Sequence, residues 1–134
     1  MNANPMEEQI GRLVGNLLAG GGEIFLPGVG SLYTERQGAR RLNRRTVLPP
    51  SRTVAFTSQQ RGVSLVDEIA RVMREAGGYE NPEAEAQAVY DRWIARVHRA
   101  DLLTVEGVGE LKFKNFIPDE AFDLRLNPQG REPV

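Results

Sequence analysis

One segment of this chain occurs twice. Ile24, Leu26, Gly28, Gly30 and Leu32 recur as Leu103, Val105, Gly107, Gly109 and Leu111. Gly28 maps onto Gly107, a shift of 79 positions that holds for every pair. Each copy reads as helix, strand, Gly-Val-Gly turn, strand, and a repeat of that kind means one structural unit used twice. The expected fold is therefore α+β: two tandem units, residues 1–62 and 63–134, with amphipathic helices packed on antiparallel hairpins. Two fused copies that cover each other's apolar helix faces would form a pseudo-dimer within one chain.

The periodicity supplies the elements. Ile10, Leu13, Val14, Leu17 and Leu18 lie on one helical face, which predicts a helix from about Pro5 to Ala19, stopped by Gly20-Gly21-Gly22. Strands are expected at Glu23–Leu26, Ser31–Arg36 and Thr53–Phe56. Ser64 and Asp67 have the spacing of a capping box for a second helix, whose stripe is Leu65, Val66, Ile69, Val72 and Met73. Asn81-Pro82 opens a third, with Ala86, Val89, Tyr90, Trp93, Ile94 and Val97 on one face. Asp101–Val105, Glu110–Phe116 and Ala121–Leu126 read as the strands of the second unit, joined at the end by the turn Ile117–Glu120. Phe113 is expected in the core, and Asn127–Val134 as a loose tail.

Catalytic chemistry finds little support. The chain has no cysteine, so thiol nucleophiles, disulfides and thiolate metal sites are excluded. His98 is the only histidine, sits near a helix end and has no Gly-x-Ser-x-Gly elbow to serve. The Gly-Val-Gly turns are flanked by strands, whereas a phosphate loop leads into a helix. The paired acids Glu83/Glu85 and Asp119/Glu120 suit a helix N-terminus and a polar turn. The expectation is a non-enzyme without metal or cofactor.

Charge is more informative. The formal net charge of −1 conceals two unlike halves. Residues 1–62 hold eight arginines against four glutamates, and residues 63–134 hold nine basic against fourteen acidic side chains. From Arg36 to Arg61 there are seven arginines and no acid. The segment Gln37–Arg52 lacks apolar periodicity and reads as either a disordered loop or a protruding hairpin arm. Arginine forks match phosphate geometry, and clustered cations gain affinity by releasing counterions from nucleic acid. Arg36, Arg40, Arg41, Arg44, Arg45 and Arg52 are thus the candidate contacts to double-stranded DNA. The competing expectations are a solvated loop whose arginines meet the acidic second half of the same chain or an acidic partner, and a cell-envelope or chromosome-linked protein-interaction scaffold that has lost DNA binding. Self-association is a further expectation. No apolar run is long enough to span a bilayer, and the polar, acidic start does not read as a signal peptide, so a cytoplasmic location is expected.

These residues carry a resemblance. Ile24 to Leu32, the Arg-rich arm, Pro49-Pro50 and Val54-Ala55-Phe56 are similar to the saddle and arm of the HU/IHF superfamily of bacterial DNA-binding proteins. Leu65–Ala76, a glycine turn, Pro82–Arg99 and Leu102–Leu111 follow the same family's element order. A tandem pair with Pro-Pro before the third strand resembles the bacterial branch related to coiled-coil-domain-containing protein 81. The resemblance implies nucleoid-type, sequence-nonspecific DNA binding. It also implies that such a pair is often the cytoplasmic part of a longer membrane-anchored protein. In this chain only the first unit has an arm, and its tip lacks the proline that the family wedges between base steps.

Overall fold

A computed structural model describes residues 5–130. Helices and strands are both abundant, and the fold is α+β. The first helix is broken at Gln9 into α1 (Pro5–Glu8) and α2 (Ile10–Ala19), because the Gln9 N–H bonds back only three residues, to Met6. β1 (Glu23–Leu26) and β2 (Gly30–Gln37) form the first hairpin. The ribbon continues through β3 (Arg40–Arg41) and β4 (Val47–Leu48) and returns as β5 (Ser51–Thr57). Then come β6 (Val63–Ser64), α3 (Leu65–Ala76) and α4 (Pro82–Val97). The second set of strands is β7 (His98–Arg99), β8 (Leu102–Val105), β9 (Gly109–Lys112) and β10 (Asn115–Pro118), followed by α5 (Glu120–Leu126).

The two sheets run β5-β2-β1-β6 and β10-β9-β8-β7, and strands β5 and β10 pack beside each other. Their hairpins share a register. β1–β2 pairs Leu26 with Gly30 and Ile24 with Leu32; β8–β9 pairs Val105 with Gly109 and Leu103 with Leu111. The third strands match too, since Phe56 lies opposite Leu32 and Phe116 opposite Leu111. Each Gly-Val-Gly turn places its first glycine at positive φ, 82° at Gly28 and 78° at Gly107. The second glycine serves another need. A Cβ at Gly30 would overlap the Thr57 carbonyl, and one at Gly109 the Ile117 carbonyl.

One contiguous core joins both halves, with Ile10, Leu18, Ile24 and Leu32 in the same cluster as Val89, Trp93, Leu103 and Leu111. Two contacts between halves are equivalent under the 79-residue shift. The Tyr90 hydroxyl on α4 donates to the Pro27 carbonyl in the first turn at 2.6 Å. Gly11 on α2 lies so close to the Glu106 carbonyl in the second turn that no Cβ fits between them. The shift carries Gly11 onto Tyr90 and Pro27 onto Glu106. Each helix therefore seats the other half's hairpin turn.

Several elements differ from expectation. Ala121–Leu126 lies in a helix, where Phe122 and Leu126 share a buried face at i, i+4. The third strand comes earlier because the hairpin reverses at Phe113-Lys114, and Ile117 and Pro118 fall in strand β10. Phe113 is accordingly outside the core, at 71% exposure. The capping box is not made: Ser64 occupies the N-cap position of α3, but its side chain makes no capping hydrogen bond. The Asn81 cap is made, with Asn81 accepting from the Ala84 N–H at 3.3 Å. The tail is anchored at Asn127, which is buried; residues 131–134 lie outside the described part.

Two substitutions test this packing. Gly11→Ala should cost about 1–3 kcal/mol in urea unfolding, as overpacking does. Tyr90→Phe should cost about 1 kcal/mol, the net worth of one hydrogen bond. Burial, with the Asp91 charge adding to it, raises the Tyr90 pKa above its ordinary value. The folded pKa lies above the unfolded one, so this contribution is complete below about pH 10 and is lost as pH rises further. Unfolding midpoints should therefore fall above about pH 10, and less steeply in Tyr90→Phe.

Candidate nucleic-acid interface

The arm is an ordered ribbon. β2 and β5 pair continuously from Ser31↔Thr57 to Gln37↔Ser51, with Arg36 opposite Arg52. Beyond them β3 and β4 pair Arg40 with Leu48 and Arg41 with Val47. At the tip the Asn43 Oδ1 accepts from the N–H groups of Arg45 and Thr46, both at 2.9 Å, and the Leu42 N–H donates to Thr46. This side-chain turn holds the tip closed without glycine or proline. The second copy has no such extension. Phe56 stands 24 residues after Leu32, whereas Phe116 stands five after Leu111, so the first ribbon is longer by 19 residues.

Five of the six predicted arginines are exposed on this ribbon. Arg36 is the penultimate residue of β2, Arg40 and Arg41 form β3, and Arg44 and Arg45 flank the tip. Their charges lie along one hairpin whose only acid, Glu35, sits at its root within 3.4 Å of the Tyr33 hydroxyl. Arg41 Nη1 also donates to the Arg44 carbonyl at 3.0 Å, which stiffens the turn. A ribbon of this kind presents several guanidinium forks in a fixed spacing, which suits phosphates on a nucleic-acid backbone.

Arg52 is the exception. Its side chain points into the body, where Nη1 donates to the Ala19 carbonyl at 3.1 Å and Nε to the Leu126 carbonyl at 3.3 Å. One guanidinium thus closes the C-termini of both α2 and α5, where unpaired carbonyls and the helix dipole favour a cation. The backbone of Arg52 is held as well. Its N–H donates to Asn127 Oδ1 at 2.7 Å, and its carbonyl accepts from Asn127 Nδ2 at 2.9 Å. Arg52 is therefore a fixture of the arm's root, and not part of its cationic surface. Arg61, the last arginine of the acid-free run, is also engaged, stacked 3.9 Å from the Tyr33 ring centre and paired with Glu23.

No protein-family model matches the sequence, and no curated protein matches it. Among the described residues, no group of three or more histidine or acidic side chains is arranged to hold a metal ion, and no helix is long and apolar enough to cross a membrane.

Two features escaped the sequence reading. Asn127 follows a segment expected to be a strand, and only the helical turn of α5 brings its carboxamide to the Arg52 backbone. The second is the exposed turn Lys112-Phe113-Lys114, whose signal was present as a polar–aromatic–polar triplet between two alternating strands. Replacing Asn127 with Ala should destabilise the fold by about 1–3 kcal/mol, because two part-buried backbone groups lose their partner. Amide exchange at Arg52 should accelerate more than at Arg41, which pairs within the ribbon itself.

Proposed function

We propose that this chain is a non-catalytic, HU-like DNA-binding module that grips the duplex backbone through Arg36, Arg40, Arg41, Arg44 and Arg45. The observation that carries this reading is the ordered, extended ribbon with five exposed arginines and no acid beyond its root. A solvated loop has no need of a closed tip or a clamped base, whereas a backbone-gripping arm requires both. Binding of this type varies little with sequence, because phosphate contacts position a protein without reading bases. A nucleoid role of this kind corresponds to a bacterial cytoplasmic location.

In the same reading, the two halves form an intrachain pseudo-dimer. The equivalent contacts Gly11–Glu106 and Tyr90–Pro27 support it, since a two-fold interface is one in which i meets j and j meets i. Strands β5 and β10 lie at the meeting of the two sheets, where such an axis would pass. A helix follows the third strand in each half, α3 after β5 and α5 after β10. Helix α3 then serves both halves, as the last helix of one and the first of the next.

A scaffold role is favoured by a different observation, the acidic excess of residues 63–134. The two readings separate on a mobility-shift titration. With about four phosphates neutralised, log affinity should fall against log salt with a slope near −4. Replacing Arg40, Arg41, Arg44 and Arg45 together with Ala should bring the slope near zero and abolish the shift. Stability should change little, about 0.5 kcal/mol per exposed site. Absence of any shift with wild-type protein at about 50 mM salt would sink the DNA reading and favour an acidic protein partner.

A further inference from the structure

The second hairpin ends where the first continues into its arm. Its ribbon closes in a two-residue turn, Phe113-Lys114, between the paired residues Lys112 and Asn115. Phe113 has φ +56° there, at a hairpin position that ordinarily falls to glycine or asparagine. A bulky side chain in that conformation is an outlier, held here by the Phe113 N–H donating to the Asp101 carbonyl at 2.9 Å. The strain is not offset by burial, for the ring is 71% exposed, the most exposed large apolar side chain of the described residues. The chain has two lysines in all, Lys112 and Lys114, and they flank this ring.

The surroundings extend the pattern. Arg99, Leu102, Lys112 and Asn115 stand side by side across the outer face of the sheet by strand register. Beside the turn lies a cavity of about 360 Å³ lined by Val29, Phe56, Leu103 and Leu111 together with Phe113 and Lys114. Asp101 lines the same cavity, and Glu110 stands in register with Thr104 and Ile117. An exposed aromatic face between cations is the arrangement on which nucleobases stack while their phosphates are neutralised. Duplex bases are already stacked and offer no free face, so the ligand that fits is a single strand.

We propose that Lys112-Phe113-Lys114 is a second nucleic-acid contact, on which an unpaired base of single-stranded DNA stacks against Phe113. The proposal deepens the nucleic-acid reading above, but it uses none of the arm's residues. Its test is fluorescence anisotropy with a short labelled oligothymidine, run beside a blunt duplex. Phe113→Asn should weaken oligothymidine binding about tenfold or more, the effect of losing one stacked base, and leave the duplex affinity unchanged. Its melting temperature should hold or rise, because asparagine tolerates positive φ. Phe113→Tyr keeps the ring and should bind like wild type. Replacing both lysines with Ala should weaken binding and flatten its salt dependence. The quadruple arm variant should lose the duplex and retain oligothymidine; that result, or oligothymidine binding by a wild type that ignores duplex, separates this site from the arm. The proposal is overturned if wild type does not bind oligothymidine, or if Phe113→Asn binds it as wild type does. It fails equally if Phe113→Tyr loses binding along with Phe113→Asn, which would assign the effect to turn geometry, or if the arm variant loses both ligands.

Discussion

The seating of each hairpin turn on the opposite helix is the contact on which the rest of the fold depends. A hairpin of two short strands is marginal by itself, and an amphipathic helix alone must cover its apolar stripe. Here Pro27 accepts from Tyr90, and Glu106 rests against Gly11, so each turn is covered by a helix of the other half. The two contacts solve the same geometric problem with opposite chemistry. On α4 a large side chain reaches out to the turn with a hydrogen bond. On α2 a missing side chain lets the turn come to the helix backbone. Gly15, one turn further along α2, continues that groove against Val108.

With the body fixed in this way, the arm needs only a firm root. Arg52 supplies it by spending its charge on two helix ends, and Asn127 completes it by taking the place of a neighbouring strand. The division between Arg52 and the other arm arginines follows from register. Arg36 and Arg52 are cross-strand partners, yet only Arg52 lies on the strand next to α5, and the helix C-termini draw it inward. A run of like residues in a sequence thus contains both surface and scaffold, and the neighbours in space decide which is which.

The repeat made much of this legible beforehand. The identity of spacing around the two Gly-Val-Gly turns carried the register of both hairpins, because the first glycine is required by positive φ and the second also by the close approach of the third strand's carbonyl. The helices at 65–76 and 82–97 follow from their stripes, whereas the arginine run is compatible with either a loop or a hairpin arm, and the pairing of β2 with β5 and β3 with β4 decides it. What failed were the places where short segments are decided by tertiary partners. Phe113, aromatic in an alternating run, reads as core, but the turn at Phe113-Lys114 turns it outward. Residues 121–126 contain enough apolar side chains for either a strand or a helix, and the helix wins because β10 has already filled the sheet position. Arg52 and Asn127 are 75 residues apart, and nothing local announces that they meet.

The arm arginines have an effect apart from any ligand. A two-stranded ribbon standing clear of the body offers bare N–H and C=O groups along both sides, the usual template on which another chain adds a strand. The remaining borders of this molecule are guarded by brevity, since the outermost strands β6 and β7 are two residues long, and β5 and β10 shield each other. The ribbon cannot be short if it is to reach outward. Its protection is like-charge repulsion: two ribbons approaching side by side would bring their guanidinium groups into register against one another. On the proposed reading, the charges that would meet a polyanion would also oppose a second ribbon adding alongside.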